Sequence, residues 1–161
     1  MSKQPKTAAE LIAELQSDAS YCARRNQKDR HRLAREQQYS KLLAPLLQSL
    51  SSVGLTGNSL EEIVQKYTPL PVSAVPILLS AIPETGDLRV KESIVRALGA
   101  ASQPFDGRPL TKCFDQASDE SLRWAILNTI SVARPHSIDT WLLGLRDTHW
   151  GKTLRELSRG G

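Results

Sequence analysis

The sequence predicts an all-α protein: a short right-handed α-solenoid of about three helical pairs, led by a long charged N-terminal helix. Three observations carry this. Residues 88–101, LRVKESIVRALGAA, place Val90, Ser93, Ile94, Ala97, Leu98 and Ala101 on one arc at about 100° per residue, with Arg89, Glu92 and Arg96 facing away. Thirty-two positions later Leu122, Ala125, Ile126, Thr129, Ile130 and Ala133 repeat that pattern, and Trp150, Thr153, Leu154 and Leu157 give a weaker third copy. Asp87, Asp119 and Asp147 precede the three copies at one offset, where an Asp can cap free backbone N–H groups.

The elements follow in order within a single expected domain, 1–161. Its N-terminal helical segment is 1–58. Thr7 to Gln16 sets Leu11, Ile12 and Leu15 at helical spacing, and Ser17 or Asp18 then caps a second helix. From Ala19 the next Gly is Gly54 and the one intervening Pro is Pro45, which allows a helix or kinked pair of up to ~35 residues, ~50 Å. Leu42, Leu43, Leu46 and Leu50 lie on a different arc from Cys22 and Leu33, which fits a kink near Tyr39 to Pro45 and a buried last third. Residues 59–71 hold a short helix with a Ser59/Glu62 capping box and a proline-rich link. Residues 72–158 then read as three pairs: 72–82 with 87–101, 108–117 with 119–133, and 137–146 with 149–158, each first helix offering an opposing apolar side. An irregular bundle, with 87–101 and 119–133 crossing, is the runner-up.

The Asp, apolar, Lys or Arg, then Ala- and Leu-rich order of 87–98 and 119–130 resembles HEAT or HEAT-like repeats over residues 72–158, although spacings of 32 and 28 fall short of the usual ~40 to 47. The tetratricopeptide order of Trp, Leu-Gly and Tyr is missing. The third copy departs most, with Gly151 in place of the basic residue; ending at Arg159, Gly160 and Gly161, it reads as a terminal cap or an incomplete repeat. A charged helix feeding a small solenoid is similar to small bacterial HEAT-repeat proteins. That resemblance implies a non-enzymatic adaptor or inhibitor binding another protein on the concave face lined by second helices.

Composition is consistent with this. The opening MSKQPK has no apolar run long enough for a signal peptide behind it, and no stretch reaches the ~20 apolar residues of a membrane span, so a cytoplasmic protein without membrane contact is expected. Cys22 and Cys113 read as reduced thiols. His31, His136 and His149 lack metal-ligand spacing, no glycine loop cradles phosphate, and neither cofactor nor metal is expected. His136 with Asp139, and Asp115 with Asp119 and Glu120, read as helix-start and capping groups rather than ligands or acid–base catalysts. Lys91 and Arg123, at the edge of the buried arc, bind either an anion or, as the repeat pattern favours, an inter-repeat Asp.

Two surfaces remain. Residues 1–41 carry nine Lys or Arg against five acids, while 42–161 carry twelve of each. Arg24, Arg25, Lys28, Arg32 and Arg35 share an arc of about 100° on the second helix, an alternative site for nucleic acid or another polyanion, without interleaved aromatic residues to stack bases. HEAT-like DNA glycosylases supply a minor enzymatic alternative, weakened by the neutral charge of the repeats. The preferred partner surface is Arg89, Glu92, Arg96, Trp124, Asn128 and Lys152. Trp141 and Trp150 fall on apolar arcs, whereas Trp124 lies about 200° from Leu122 on the outward face, flanked by Arg96, Asn128 and Lys152.

Overall fold

Backbone N–H groups in the first turn of a helix lack partners within it, so helices start where a side chain supplies one. The computed structural model describes residues 6–160; the polar start read at Met1 to Pro5 and the final Gly161 lie outside the described residues. Among the described residues the protein is all-helical and without strands: α1 (Ala8–Ser17), α2 (Ala19–Ser52), α3 (Leu60–Lys66), α4 (Ala74–Glu84), α5 (Leu88–Leu98), α6 (Arg108–Gln116), α7 (Glu120–Ala133), α8 (Asp139–Leu145) and α9 (His149–Arg159). The chain divides into two compact units, Met1–Lys41 and Leu42–Gly161, and α2 contributes to both.

In the first unit Thr7 and Glu10 close a capping box at α1 with bonds of 3.3 and 2.9 Å. Asp18 Oδ1 accepts the backbone N–H groups of Ser20 and Tyr21 at 2.8 and 3.1 Å and so starts α2. Leu11, Ile12 and Leu15 share a face as their spacing requires, yet all three are exposed and α1 buries no residue. Through Pro45, α2 remains helical to Ser52. The change of apolar phase therefore marks where burial begins: Leu43, Leu46 and Leu50 are buried, whereas Leu42, expected among them, is 44% exposed.

In the second unit α5 packs against α3, α4 and α7, and α7 packs against α5, α6 and α9. Each of the five buried residues of α5 has a buried counterpart thirty-two positions on. Val90, Ile94, Val95, Ala97 and Leu98 match Leu122, Ile126, Leu127, Thr129 and Ile130. Val95 and Leu127 fall outside the arc the sequence marks, because each helix meets neighbours on more than one side and buries a wider stripe than a helix lying on one surface. Asp87 and Asp119 accept the N–H groups of Val90 and Leu122 at 3.0 and 2.9 Å. A buried polar tie crosses the seam. At the end of α5 the Gly99 N–H turns to the Arg96 carbonyl, and Thr129 Oγ1 of α7 donates to the Val95 carbonyl at 2.9 Å.

The third copy is corrected in one respect. Its cap is Thr148, whose hydroxyl accepts the Gly151 N–H at 3.2 Å, not Asp147, although Trp150, Thr153, Leu154 and Leu157 keep the inward side. Gly151 is buried, and a Cβ there would stand 2.2 Å from the Leu145 carbonyl oxygen and 2.7 Å from that of Arg146. The departure at Gly151 is thus a close approach of α9 to the end of α8 that only glycine permits. Trp141 and Trp150, expected in the core, are half-buried and meet Phe114 edge-on at centroid distances of 5.2 and 5.7 Å. Trp141 Nε1 donates to Asp115 Oδ1 at 3.1 Å, which gives Asp115 a structural part. Among the described residues Arg123 reaches no Asp. Its guanidinium lies 5.3 Å from the Phe114 centroid and 6.0 Å from that of Trp150.

Two substitutions test this packing by urea denaturation. Thr129→Val keeps the volume but leaves the Val95 carbonyl buried and unbonded, and is expected to cost about 1–2 kcal/mol. Gly151→Ala forces α9 away from α8 and is expected to cost about 1–3 kcal/mol; an unchanged midpoint for either variant contradicts the corresponding contact.

Candidate functional site

The register of α5 against α7 decides which outward residues become neighbours. Trp124 aligns with Glu92 and Asn128 with Arg96 in the thirty-two-residue repeat, and the packing of α5 against α7 brings Arg96 beside Trp124. The Arg96 guanidinium lies 5.9 Å from the Trp124 ring centroid, and its Nη2 and Nε donate to Glu92 Oε1 at 2.6 and 3.0 Å. Ser121 Oγ donates to Glu92 Oε2 at 3.3 Å. Arg96 is therefore held in place from two sides, by a carboxylate and by an aromatic face.

Trp124 is 41% exposed and Val132, two turns later on the same face, is 62% exposed, with Asn128 between them. Together with Ser131 they form the α7 side of a hollow of about 430 Å³, whose α9 side is Thr153, Glu156 and Leu157. Four of the six residues read from the sequence converge here: Glu92, Arg96, Trp124 and Asn128. Lys152 is exposed but does not line the hollow; Thr153 and Glu156 of the same helix take that side. Arg89 lies two turns before Arg96, roughly 10 Å along the helix, outside the cluster. Val132 was missed because a single exposed valine carries no sequence signal, although its spacing of eight from Trp124 was available.

On α2 all five residues of the basic stripe, Arg24, Arg25, Lys28, Arg32 and Arg35, are exposed, and Arg32 Nη2 lies 3.7 Å from Asp29 Oδ1. They belong to the first unit, and the Trp124 cluster belongs to the second.

A second concavity, about 540 Å³, was not anticipated as a site. Leu79 and Ile82 of α4, Cys113 of α6 and Leu122 of α7 give its apolar lining, and Lys91, Arg108 and Lys112 bring cations to it. Arg108 and Lys112 are one turn apart on α6 and Lys91 comes from α5, so only packing assembles the three. Arg108 engages Asp106: its Nε and Nη2 donate to Oδ2 at 2.9 and 2.6 Å, and its backbone N–H donates to Oδ1 at 3.1 Å. These bonds from Arg108 hold the Asp106 carboxyl down to about 2. Burial pushes the Cys113 thiol above its ordinary value, and the nearby Lys91 charge opposes that only in part. At neutral pH the Asp106 carboxyl is therefore ionised and the Cys113 thiol protonated. Among the described residues no three of His, Cys, Asp and Glu converge as a metal site, and no helix is long and apolar enough to cross a membrane.

Comparison with protein-family models, with curated proteins and with solved structures finds no match for this chain.

The Asp106 pair predicts a pH effect of definite sign. A carboxyl whose value is depressed by folding stabilises the fold above its unfolded value, here 3.8, and loses that contribution as pH falls through about 2. Arg108→Ala should return the Asp106 side-chain titration, followed by NMR, toward 3.8. The stability difference from wild type should be present above pH 4 and vanish near pH 2, and it should shrink with added salt because the pair is exposed.

Proposed function

We propose that the protein is a non-enzymatic protein-protein interaction module, a short right-handed HEAT-like solenoid of the pairs α4/α5, α6/α7 and α8/α9, that binds a partner protein through the outward face of its second helices. The repeat supports the solenoid reading: five buried positions recur at a spacing of thirty-two, and the two helices that carry them pack on one another. The observation that carries the function is Trp124. A tryptophan left 41% exposed beside a positioned Arg96 and above a hollow has the composition of a binding hot spot, since a rigid aromatic side chain buries much area at little entropic cost. Arg is enriched at such centres for the same reason, and here Glu92 already holds its guanidinium in place.

A second reading uses the exposed stripe of α2 as a contact for nucleic acid or another polyanion. It is favoured by the charge asymmetry of the chain, nine cations to five acids over residues 1–41 against equality in the remainder.

One experiment separates the two. The protein is immobilised, exposed to an extract of the cells that make it, and what it retains is identified by mass spectrometry and nucleic-acid staining. The expected result is one protein, lost with Trp124→Ala through a drop in affinity of about 2 kcal/mol or more, roughly 30-fold, while urea stability moves by less than about 0.5 kcal/mol. Retention of nucleic acid that disappears in Arg25→Glu/Lys28→Glu/Arg32→Glu and weakens steeply with salt reverses the order of the two readings.

A further inference from the structure

The cavity between α4 and α6 has an imbalance that its own residues do not resolve. Three cations reach it and one acid does. That acid, Asp106, is committed to Arg108 through both carboxylate oxygens. Lys91 and Lys112 make no ion pair among the described residues. Lys91 is half-buried, and its charge is felt at the Cys113 thiol on the cavity lining. Lys91 and Lys112 thus bring two positive charges to the cavity with no anion set against them, and a bound anion would complement both.

The rest of the lining restricts what that anion is. Leu79, Ile82, Pro109 and Leu122 present apolar surface, and a bare inorganic anion would leave it in water. A space of about 540 Å³ lies in the range of small-molecule sites, which are mostly apolar with a few convergent polar groups. The Cys113 thiol, kept protonated by burial, adds an uncharged and weakly polar patch to the same lining.

We propose that this cavity binds a small monocarboxylic acid, its carboxylate between Lys91 and Lys112 and its hydrocarbon body on Leu79, Ile82, Pro109 and Leu122. The site is separate from the Trp124 hollow: it is lined mainly by the helices α4 and α6, and the two concavities share no residue. It stands or falls without the partner-binding reading.

Octanoate, octanol and inorganic phosphate are the probes, each titrated into the 161-residue protein by calorimetry with amide chemical shifts read in parallel. Octanoate should bind and shift amides around Leu79, Lys112, Cys113 and Leu122. Octanol, with the same body and no charge, should bind at least about tenfold more weakly, as should phosphate, which has charge and no body. Lys112→Glu, at an exposed position, should weaken octanoate by about tenfold or more and leave octanol and the urea midpoint unchanged; Lys91→Gln should do the same for the two ligands. Trp124→Ala should leave octanoate binding intact. Equal affinity for octanoate and octanol, equal affinity for octanoate and phosphate, an octanoate affinity indifferent to Lys112→Glu, or no octanoate binding each overturns the proposal.

Discussion

Burial along the seam between α5 and α7 is the constraint on which the rest of the second unit depends. Ten matched positions, the five buried residues of α5 from Val90 to Leu98 and their counterparts on α7 from Leu122 to Ile130, are withdrawn from water on these two helices, and a fully buried aliphatic side chain contributes about 1.5–3 kcal/mol. Exposed ion pairs contribute roughly 0–1 kcal/mol each, so the apolar faces and not the surface charges set how the two helices lie. Within that seam the Thr129 hydroxyl bonded to the Val95 carbonyl is directional, which hydrophobic contact is not.

The seam propagates outward on both sides. On the outward face it makes neighbours of Arg96 and Trp124, twenty-eight residues apart in the chain. Toward α4 and α6 it brings Lys91 and Leu122 to the cavity that those helices line. Both candidate sites are consequences of the same register, and a slip of one residue would rotate each helix by about 100° and disperse both.

The aromatic group at the end of the unit follows a different logic. Arg123 is held by ring faces rather than by an acid, and its Nε is buried without a hydrogen-bond partner among the described residues. Such a loss costs about 1–3 kcal/mol, and two cation–π contacts of about 0.5–2 kcal/mol each are of comparable size. Arg123 is thus close to neutral for stability, packed on two rings that also touch each other edge-on. Beyond it, α9 closes on α8 through Gly151, where carbonyl oxygens take the room of a side chain.

The sequence by itself determined the helices, their approximate ends, the Asp caps at 87 and 119, the inward faces and the outward position of Trp124. All of these are local: they depend on side-chain chemistry repeated at helical spacing, which a chain carries whatever it packs against. It did not reach Val95 and Leu127, because their burial comes from second and third neighbouring helices. Nor did it reach the Thr148 cap, since Asp147 beside it has equally suitable chemistry and the choice rests on how close α9 comes to α8. Arg123 was read toward an acid because charge is visible in a sequence and the proximity of two aromatic rings is not. Only the tertiary structure decided that Glu156 and Thr153, rather than Lys152, line the hollow beside Trp124, and that Lys91, Arg108 and Lys112 meet in one cavity. Those residues lie on different helices, and the distances between them are set by the packing of whole faces, a property of the assembled core that no single segment contains.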